Sequence, residues 1–374
     1  MDDFKKIALV GTGLMGGSFA LAIKERGIQC TVTGFDSDRK ALESALRLGI
    51  VDRMGKTLEE TVTDADLVML AVPVGHYESI FNALAESLKK GAVVSDLGSV
   101  KEAAVTAAER LPEGVSFVGG HPLAGSEKGG VEAASPYLFE NAYYFLTPTE
   151  RTPVEVLDRI KSLVSTIGAF PVLITPQKHD YIVARTSHLP HFVASVLACT
   201  MDEENDEELK NFTGSGFRDT TRIAAGNPVM WEEIFFYNQR ELLDGVEKLE
   251  NMLRGFRQSI ALKKRIEVRD LLEKGKKYRD TLPQAGKDYL PEWYQIYVDI
   301  KDEPGALARI TSIIGQAEVN IKEIEILHAR EGEKGAVRLA FAEAEEERRA
   351  MKALGEKGLS FTRKKGEMNH ADRT

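Results

Sequence analysis

The sequence predicts an α/β protein in three parts: an N-terminal doubly wound parallel sheet, an all-α middle domain and a C-terminal βαββαβ module of α+β type. Three observations carry this. Apolar runs of strand length alternate with helical patterns as far as Pro171, strand signals then vanish until the segment around Gly286, and period-two alternation returns at Tyr294.

Lys6-Ile7-Ala8-Leu9-Val10 reads as the first strand. It runs into Gly11-Thr12-Gly13-Leu14-Met15-Gly16-Gly17-Ser18 and a helical stretch at 19–24. This is G-x-G-x-x-G between strand and helix, the arrangement of a Rossmann-like dinucleotide site. The first glycine permits the turn, the second lets a pyrophosphate approach the backbone, and the third allows close helix–strand packing. The helix start then offers unpaired N–H groups to phosphate. A second strand, Thr31-Val32-Thr33-Gly34-Phe35-Asp36, ends in an acid. A carboxylate there accepts both ribose hydroxyls and repels a 2′-phosphate, so NAD is expected rather than NADP.

Residues 66–73, 92–96 and 115–118 are further buried strands, with an amphipathic helix at 77–89. Ligands in such sheets lie beyond the carboxyl ends of the strands. Three loops fall there: Val72-Pro73-Val74, Leu97-Gly98-Ser99-Val100-Lys101, and the stretch from Gly119-Gly120-His121-Pro122 to Ser126. Long helices are expected at 182–201, 228–257 and 260–276. In the last module, Ile296, Val298 and Ile300 mark a strand, Leu307, Ile310, Ile313 and Ile314 a helix, and Ile321, Ile324 and Ile326 a second strand. Val337, Leu339 and Phe341 mark a third, followed by a helix at 345–354 and a last strand near Phe361. The expected boundaries are 1–173, 174–285, a linker at 286–293, 294–364, and a disordered tail at 365–374.

Composition narrows the function. The net charge of −9 and the lack of a basic patch with interleaved aromatics argue against nucleic acid as a partner. Cys30 and Cys199 lie in apolar runs and read as reduced buried thiols, in keeping with the cytoplasm. There is no signal-like start, and no apolar run reaches the roughly 18 residues of a membrane span.

His121, at a strand's carboxyl end, is placed to take a proton from a hydroxyl while hydride leaves the same carbon. Ser99 lies on the adjacent loop, to orient that imidazole, contact the nicotinamide or cap the next helix. Arg218 and Arg222, four apart, share a helical face and suit a dianion, unless they form a solvated face with Arg222 paired to Asp219. His188 and His191, with His179 and Asp180 before them, allow capping or substrate contact. No third ligand stands at a convincing spacing, and no metal is expected.

Taken together, the glycine loop, Asp96-Leu97-Gly98-Ser99-Val100-Lys101, Gly120-His121-Pro122-Leu123-Ala124-Gly125-Ser126, Ser187-His188-Leu189-Pro190-His191 and Phe217-Arg218-Asp219-Thr220-Thr221-Arg222-Ile223-Ala224 resemble the prephenate dehydrogenase family of tyrosine biosynthesis. The likeness covers residues 1 to about 290, five motifs in order. The module from Tyr294 resembles an ACT domain, a small-molecule regulatory unit, at Asp302-Glu303-Pro304-Gly305-Ala306-Leu307 and Val319-Asn320-Ile321.

The resemblance implies NAD-dependent oxidative decarboxylation of prephenate to 4-hydroxyphenylpyruvate by a homodimer. It makes His121 the catalytic histidine, Ser99 its orienting serine and Arg222 the substrate-carboxylate arginine. Arg218, Ser126, His188 and His191 line the substrate pocket, and Trp231 falls near the dimer contact. Gly11, Gly13, Leu14, Met15, Gly16, Asp36, Val72, Pro73 and Ser99 hold the cofactor. Asp302, Pro304, Gly305, Asn320 and Ile321 form the regulatory turns, with tyrosine as the expected inhibitor, acting at this module or in the active site. Arogenate dehydrogenase or a dual-specificity cyclohexadienyl dehydrogenase is the nearest alternative. A β-hydroxyacid dehydrogenase, which works with a catalytic lysine, and a catalytically dead NAD and amino-acid sensor are more distant ones.

Overall fold

The computed structural model describes residues 4–125, 129–204, 206–282, 294–301, 303–327 and 334–363. Contacts divide the chain into two compact units, 1–272 and 273–374.

In the first unit, strands β1 (Lys6–Val10), β2 (Thr31–Phe35), β3 (Arg53–Met54), β4 (Leu67–Leu70), β5 (Val93–Asp96) and β6 (Ser116–Pro122) pair in parallel, in the order β3-β2-β1-β4-β5-β6. Helices α1 (Leu14–Glu25), α2 (Arg39–Arg47), α3 (Leu58–Val62), α4 (Tyr77–Leu84) and α5 (Glu102–Ala108) connect them. Side chains of a strand alternate between faces. In β1, Ile7 and Leu9 join one core with Phe19, Ile23 and Val32, while Ala8 and Val10 join another with Tyr77, Phe81 and Val94. A sheet covered on both faces follows, as its all-apolar central strands require.

Three strands lie outside the sequence reading: the two-residue edge strand β3, too short to show a pattern, and two more beyond β6. β7 (Tyr143–Pro148) pairs antiparallel with β6, and β8 (Phe170–Leu173) pairs parallel with β7, separated by α6 (Val154–Thr166). Strand direction here is set by the path of the chain after β6, which leaves no local residue pattern. The same pairing lengthens β6. His121, expected in a loop, is a strand residue opposite Phe145, because β7 extends the ladder through Pro122.

Residues 176–281 are helical among those described: α7 (Pro176–Val183), α8 (Leu189–Glu203), α9 (Glu207–Asn211), α10 (Ser215–Thr221), α11 (Pro228–Tyr237), α12 (Gln239–Ala261) and α13 (Arg265–Thr281). The division between the two units falls within α13. All three expected helices are interrupted, 260–276 by the turn at 262–264 between α12 and α13. The stretch 182–201 contains a π-helical turn, Ala184–His188, between α7 and α8, and 228–257 breaks at Asn238, whose ψ of 32° leaves the helix. Ile234 of α11 packs into the second core of the sheet. Cys30 is half-buried but Cys199, expected inside, is exposed; the apolar run around it belongs to a helix with an open face.

In the second unit, β9 (Tyr294–Lys301), α14 (Ala306–Gln316), β10 (Glu323–Leu327), β11 (Lys334–Phe341), α15 (Ala344–Glu356) and β12 (Phe361–Arg363) make the expected βαββαβ order. The sheet is antiparallel, β10-β11-β9-β12. Ile296, Val298, Ile310, Ile314, Val337, Leu339 and Phe341 fill its core. Gly305 precedes α14 with φ at +88°, a conformation that suits glycine. Pro304 and Asn320 are exposed and Ile321 half-buried around the two turns. Asp302, the linker 286–293 and the tail 365–374 lie outside the described residues.

Candidate active site

The glycine loop follows from steric limits. Gly11 has φ at +92°, and a Cβ there would stand 2.4 Å from the Ala71 carbonyl oxygen, beside Val72. A Cβ on Gly16 would stand 2.1 Å from the Gly11 carbonyl oxygen, whereas one on Gly13 would meet nothing within 4 Å. The chain therefore turns at Gly11, packs closely at Gly16 and leaves open space at Gly13, where a pyrophosphate needs it. Leu14 and Met15 begin α1 half-buried, and that first turn holds no acid. Asp36 Oδ2 accepts hydrogen bonds from the Thr12 amide (2.7 Å) and hydroxyl (3.0 Å), and Oδ1 from the Asp38 amide (2.9 Å). The carboxylate thus stands fixed at the end of β2 against the glycine loop. Pro73 is exposed beyond β4. This cradle fits a dinucleotide with free ribose hydroxyls.

Three strands from β1, on the same carboxyl edge of the sheet, buried charge fixes the loops around His121. Asp96 and Lys101 form an ion pair with both side chains wholly buried. Asp96 also accepts from the Tyr77 hydroxyl, the Gly98 amide and the Gly120 amide, each at 2.9 Å. Lys101 Nζ donates in addition to the Gly120 carbonyl at 2.8 Å. These bonds satisfy the pair and tie the loop after β5 to the strand that carries His121.

His121 Nδ1 lies 2.7 Å from His179 Nε2, and His179 Nδ1 lies 2.7 Å from Asp180 Oδ1. Asp180 also accepts from the backbone amides of Lys101 (2.8 Å) and Glu102 (2.9 Å). Asn238, at the break between α11 and α12, donates to the Asp180 carbonyl (2.9 Å) and reaches His188 Nδ1 at 3.2 Å. His191 stacks on Trp231, ring centroids 3.6 Å apart, and its buried Nδ1 has no partner among the described residues. Burial drives these imidazoles toward the neutral form. It holds His121 well below the usual histidine value, aided by the neighbouring His179, Lys101 and His188, which disfavour a further positive charge there, and pushes His179 down to about 2 and His188 to about 4.

Several expected residues converge and others do not. His121, His179, Asp180 and His188 form one hydrogen-bonded or abutting cluster, extended by His191 and Trp231 through the edge-on contact of His188 with Trp231. Ser99 is half-buried in the loop before Lys101 and makes no hydrogen bond to His121; the imidazole's Nδ1 partner is His179. Arg218, on α10, contacts Thr213, and Arg222 begins the short 222–225 turn that packs against α8, the helix of His191. Both residues are exposed. Ser126 lies outside the described residues. The roles of His179 and Asn238 had no strong sequence signal: His179-Asp180 stood out only as a weak metal pair, and Asn238 lies in an unbroken helical pattern.

Sheet order, cradle and a neutral imidazole at the strand edge define a nucleotide-binding oxidoreductase. Residues 19–173 match the family model described as prephenate dehydrogenase, nucleotide-binding domain, and 175–274 the prephenate dehydrogenase dimerization domain. Residues 296–357 match an ACT domain like that of the AHAS small subunit. The chain is 36% identical over 352 residues to a prephenate dehydrogenase of Bacillus subtilis, covering 93% of this chain and 95% of that one. A crystal structure of prephenate dehydrogenase from A. aeolicus with hydroxyphenyl propionate and NAD+ superposes with a TM-score of 0.69 at 34% identity, over 74% of this chain and 97% of that one. Synechocystis arogenate dehydrogenase gives 0.63 at 34%, over 74% and 99%. The chain belongs to the prephenate dehydrogenase family.

Proposed function

We propose that this chain oxidises prephenate to 4-hydroxyphenylpyruvate and CO2 with NAD+, in tyrosine biosynthesis. The observation that carries the reading is His121, a neutral imidazole on the sheet edge that also bears the glycine cradle, its Nδ1 tied back into the protein. The A. aeolicus relative, which binds NAD+ and a hydroxyphenyl ligand, supports it.

Bound NAD+ supplies the hydride acceptor. His121 hydrogen-bonds the ring hydroxyl of prephenate and takes its proton at Nε2 as the C–H bond on that carbon gives up its hydride. Loss of CO2 from the opposite ring carbon aromatises the ring and delivers the electron pair of the broken C–C bond to the oxygen. That oxygen recovers the proton from His121, so the imidazole ends neutral. Arg222, with Arg218 beside it, holds a substrate carboxylate, and Ser126, His188 and His191 line the pocket. Ser99, on the loop after β5, would contact the nicotinamide. Asp36 selects NAD+ over NADP+.

Domain roles follow: 1–173 binds the dinucleotide, 174–285 completes the substrate site and forms a homodimer, and 294–364 mediates feedback by tyrosine. Exposed Val229, Phe236, Leu253 and Ile260 support the dimer. The free thiols of Cys30 and Cys199 support a cytoplasmic setting.

The test is NADH formation by the intact chain with prephenate and with arogenate, each with NAD+ and NADP+. Prephenate with NAD+ is expected to give the highest kcat/KM. A higher value on arogenate favours the second reading, for which the Synechocystis neighbour speaks.

A further inference from the structure

The hydrogen-bond series behind His121 has a direction. Asp180 sits at the buried end, with one oxygen accepting the Lys101 amide and the other the Glu102 amide. Burial pushes the Asp180 carboxyl up, and both amide contacts oppose it by favouring an accepting carboxylate. His179 Nδ1, 2.7 Å from that carboxylate, is therefore the donor, and its proton is committed there. A neutral imidazole has one N–H, so His179 Nε2 is left as an acceptor. The group 2.7 Å from it is His121 Nδ1, which must carry the hydrogen. The proton of neutral His121 is then on Nδ1, and Nε2 keeps its lone pair.

We propose that His179, backed by Asp180, is a positioning residue that fixes His121 in the Nδ1–H tautomer and so makes Nε2 the proton-accepting atom. The proposal rests on the reading of His121 as the base. When Nε2 takes the substrate proton, the His121 imidazolium donates from Nδ1 to His179, whose ring is in turn oriented by Asp180. The proton then leaves from Nε2, and no net charge remains on the series after turnover. Without His179, Nδ1 loses its acceptor, both tautomers become populated, and the molecules protonated at Nε2 cannot act as the base. The arrangement also explains why a wholly buried histidine follows the Thr175 cap of α7: the helix start delivers His179 and Asp180 together to the end of β6.

Other charged or titratable groups around His121 are Lys101 and Asp96, paired with each other, and His188, bound to Asn238. None of them hydrogen-bonds its ring among the described residues.

The test combines a direct reading of the proton with kinetics, both on the full chain. Nitrogen-15 NMR of histidine-labelled protein near neutral pH, with the His121 signals assigned by their loss in His121→Asn, is expected to show a protonated Nδ1 and an imine-type Nε2. A proton on Nε2 overturns the proposal, whatever the substrate is. In kinetics, His179→Leu is expected to lower kcat on prephenate by about 10²-fold, the low end of what a positioned base contributes. KM for NAD+ and prephenate should stay within a few-fold, and the acid limb of the kcat profile should move to lower pH because Nδ1–H has lost its acceptor. His179→Gln, whose amide oxygen replaces Nε2 as acceptor, should recover most of kcat. An unchanged kcat and pH profile in His179→Leu overturns the proposal, as does equal loss in Leu and Gln variants that both fold. A parent chain that does not oxidise prephenate defeats the functional reading instead, and leaves the NMR result to judge the tautomer.

Discussion

At the residue scale, the cluster behind β6 is held neutral by burial, and this has a measurable sign. His188 titrates near 6.5 when unfolded but near 4 in place. Below pH 6.5 the unfolded chain binds a proton that the folded chain refuses, so stability present above that pH is lost as pH falls toward 4. The melting temperature is expected to drop over this window, and His188→Gln, which removes the titrating ring, should flatten the drop; an equally steep drop in the variant would assign the effect elsewhere. Arg222 allows a separate prediction. A charged hydrogen bond is worth about 1.5–3 kcal/mol, so Arg222→Ala should raise KM for prephenate about 10–100-fold with little change for NAD+. An unmoved prephenate KM would transfer the carboxylate contact to another group. His121 was legible because Gly119-Gly120 and Pro122 frame it at a strand end. His179 was not, since its meaning depends on a contact across 58 positions of chain.

At the element scale, the glycine loop was the most legible feature, because each glycine answers a local steric demand. It separates binding from folding. Gly16→Ala drives a methyl into the Gly11 carbonyl and should cost about 1–3 kcal/mol of stability, as overpacking does. Gly13→Ala has open space around it and should leave the melting temperature near that of the parent while raising KM for NAD+. If Gly13→Ala left NAD+ affinity untouched, the cradle would have to lie elsewhere. Less legible were β7 and β8, whose direction is decided by tertiary path, and the helix interruptions. The π-turn at Ala184–His188 and the break at Asn238 coincide with the residues that hold His188, so local irregularity here serves the site. A 3.6-residue period continues through both in the sequence, which is why each was read as unbroken helix.

At the scale of the whole molecule, the three-part order was legible from where strand patterns stop and resume. The βαββαβ module was legible as a fold from its alternating apolar positions, whereas a ligand is chosen by the site chemistry a fold carries and not by the fold. Deleting residues from Tyr294 onward is expected to preserve prephenate oxidation and relieve inhibition by tyrosine; inhibition that persists and competes with prephenate would place tyrosine in the active site. The central claim, that His121 takes the hydroxyl proton above a dinucleotide bound in the glycine cradle, is tested most directly by one comparison. NADH formation from prephenate is measured for the parent chain and for His121→Asn, with NAD+ and prephenate affinities determined for both. The account predicts unchanged affinities and a loss of about 10²–10⁴-fold in kcat. Turnover within a few-fold of the parent would contradict it.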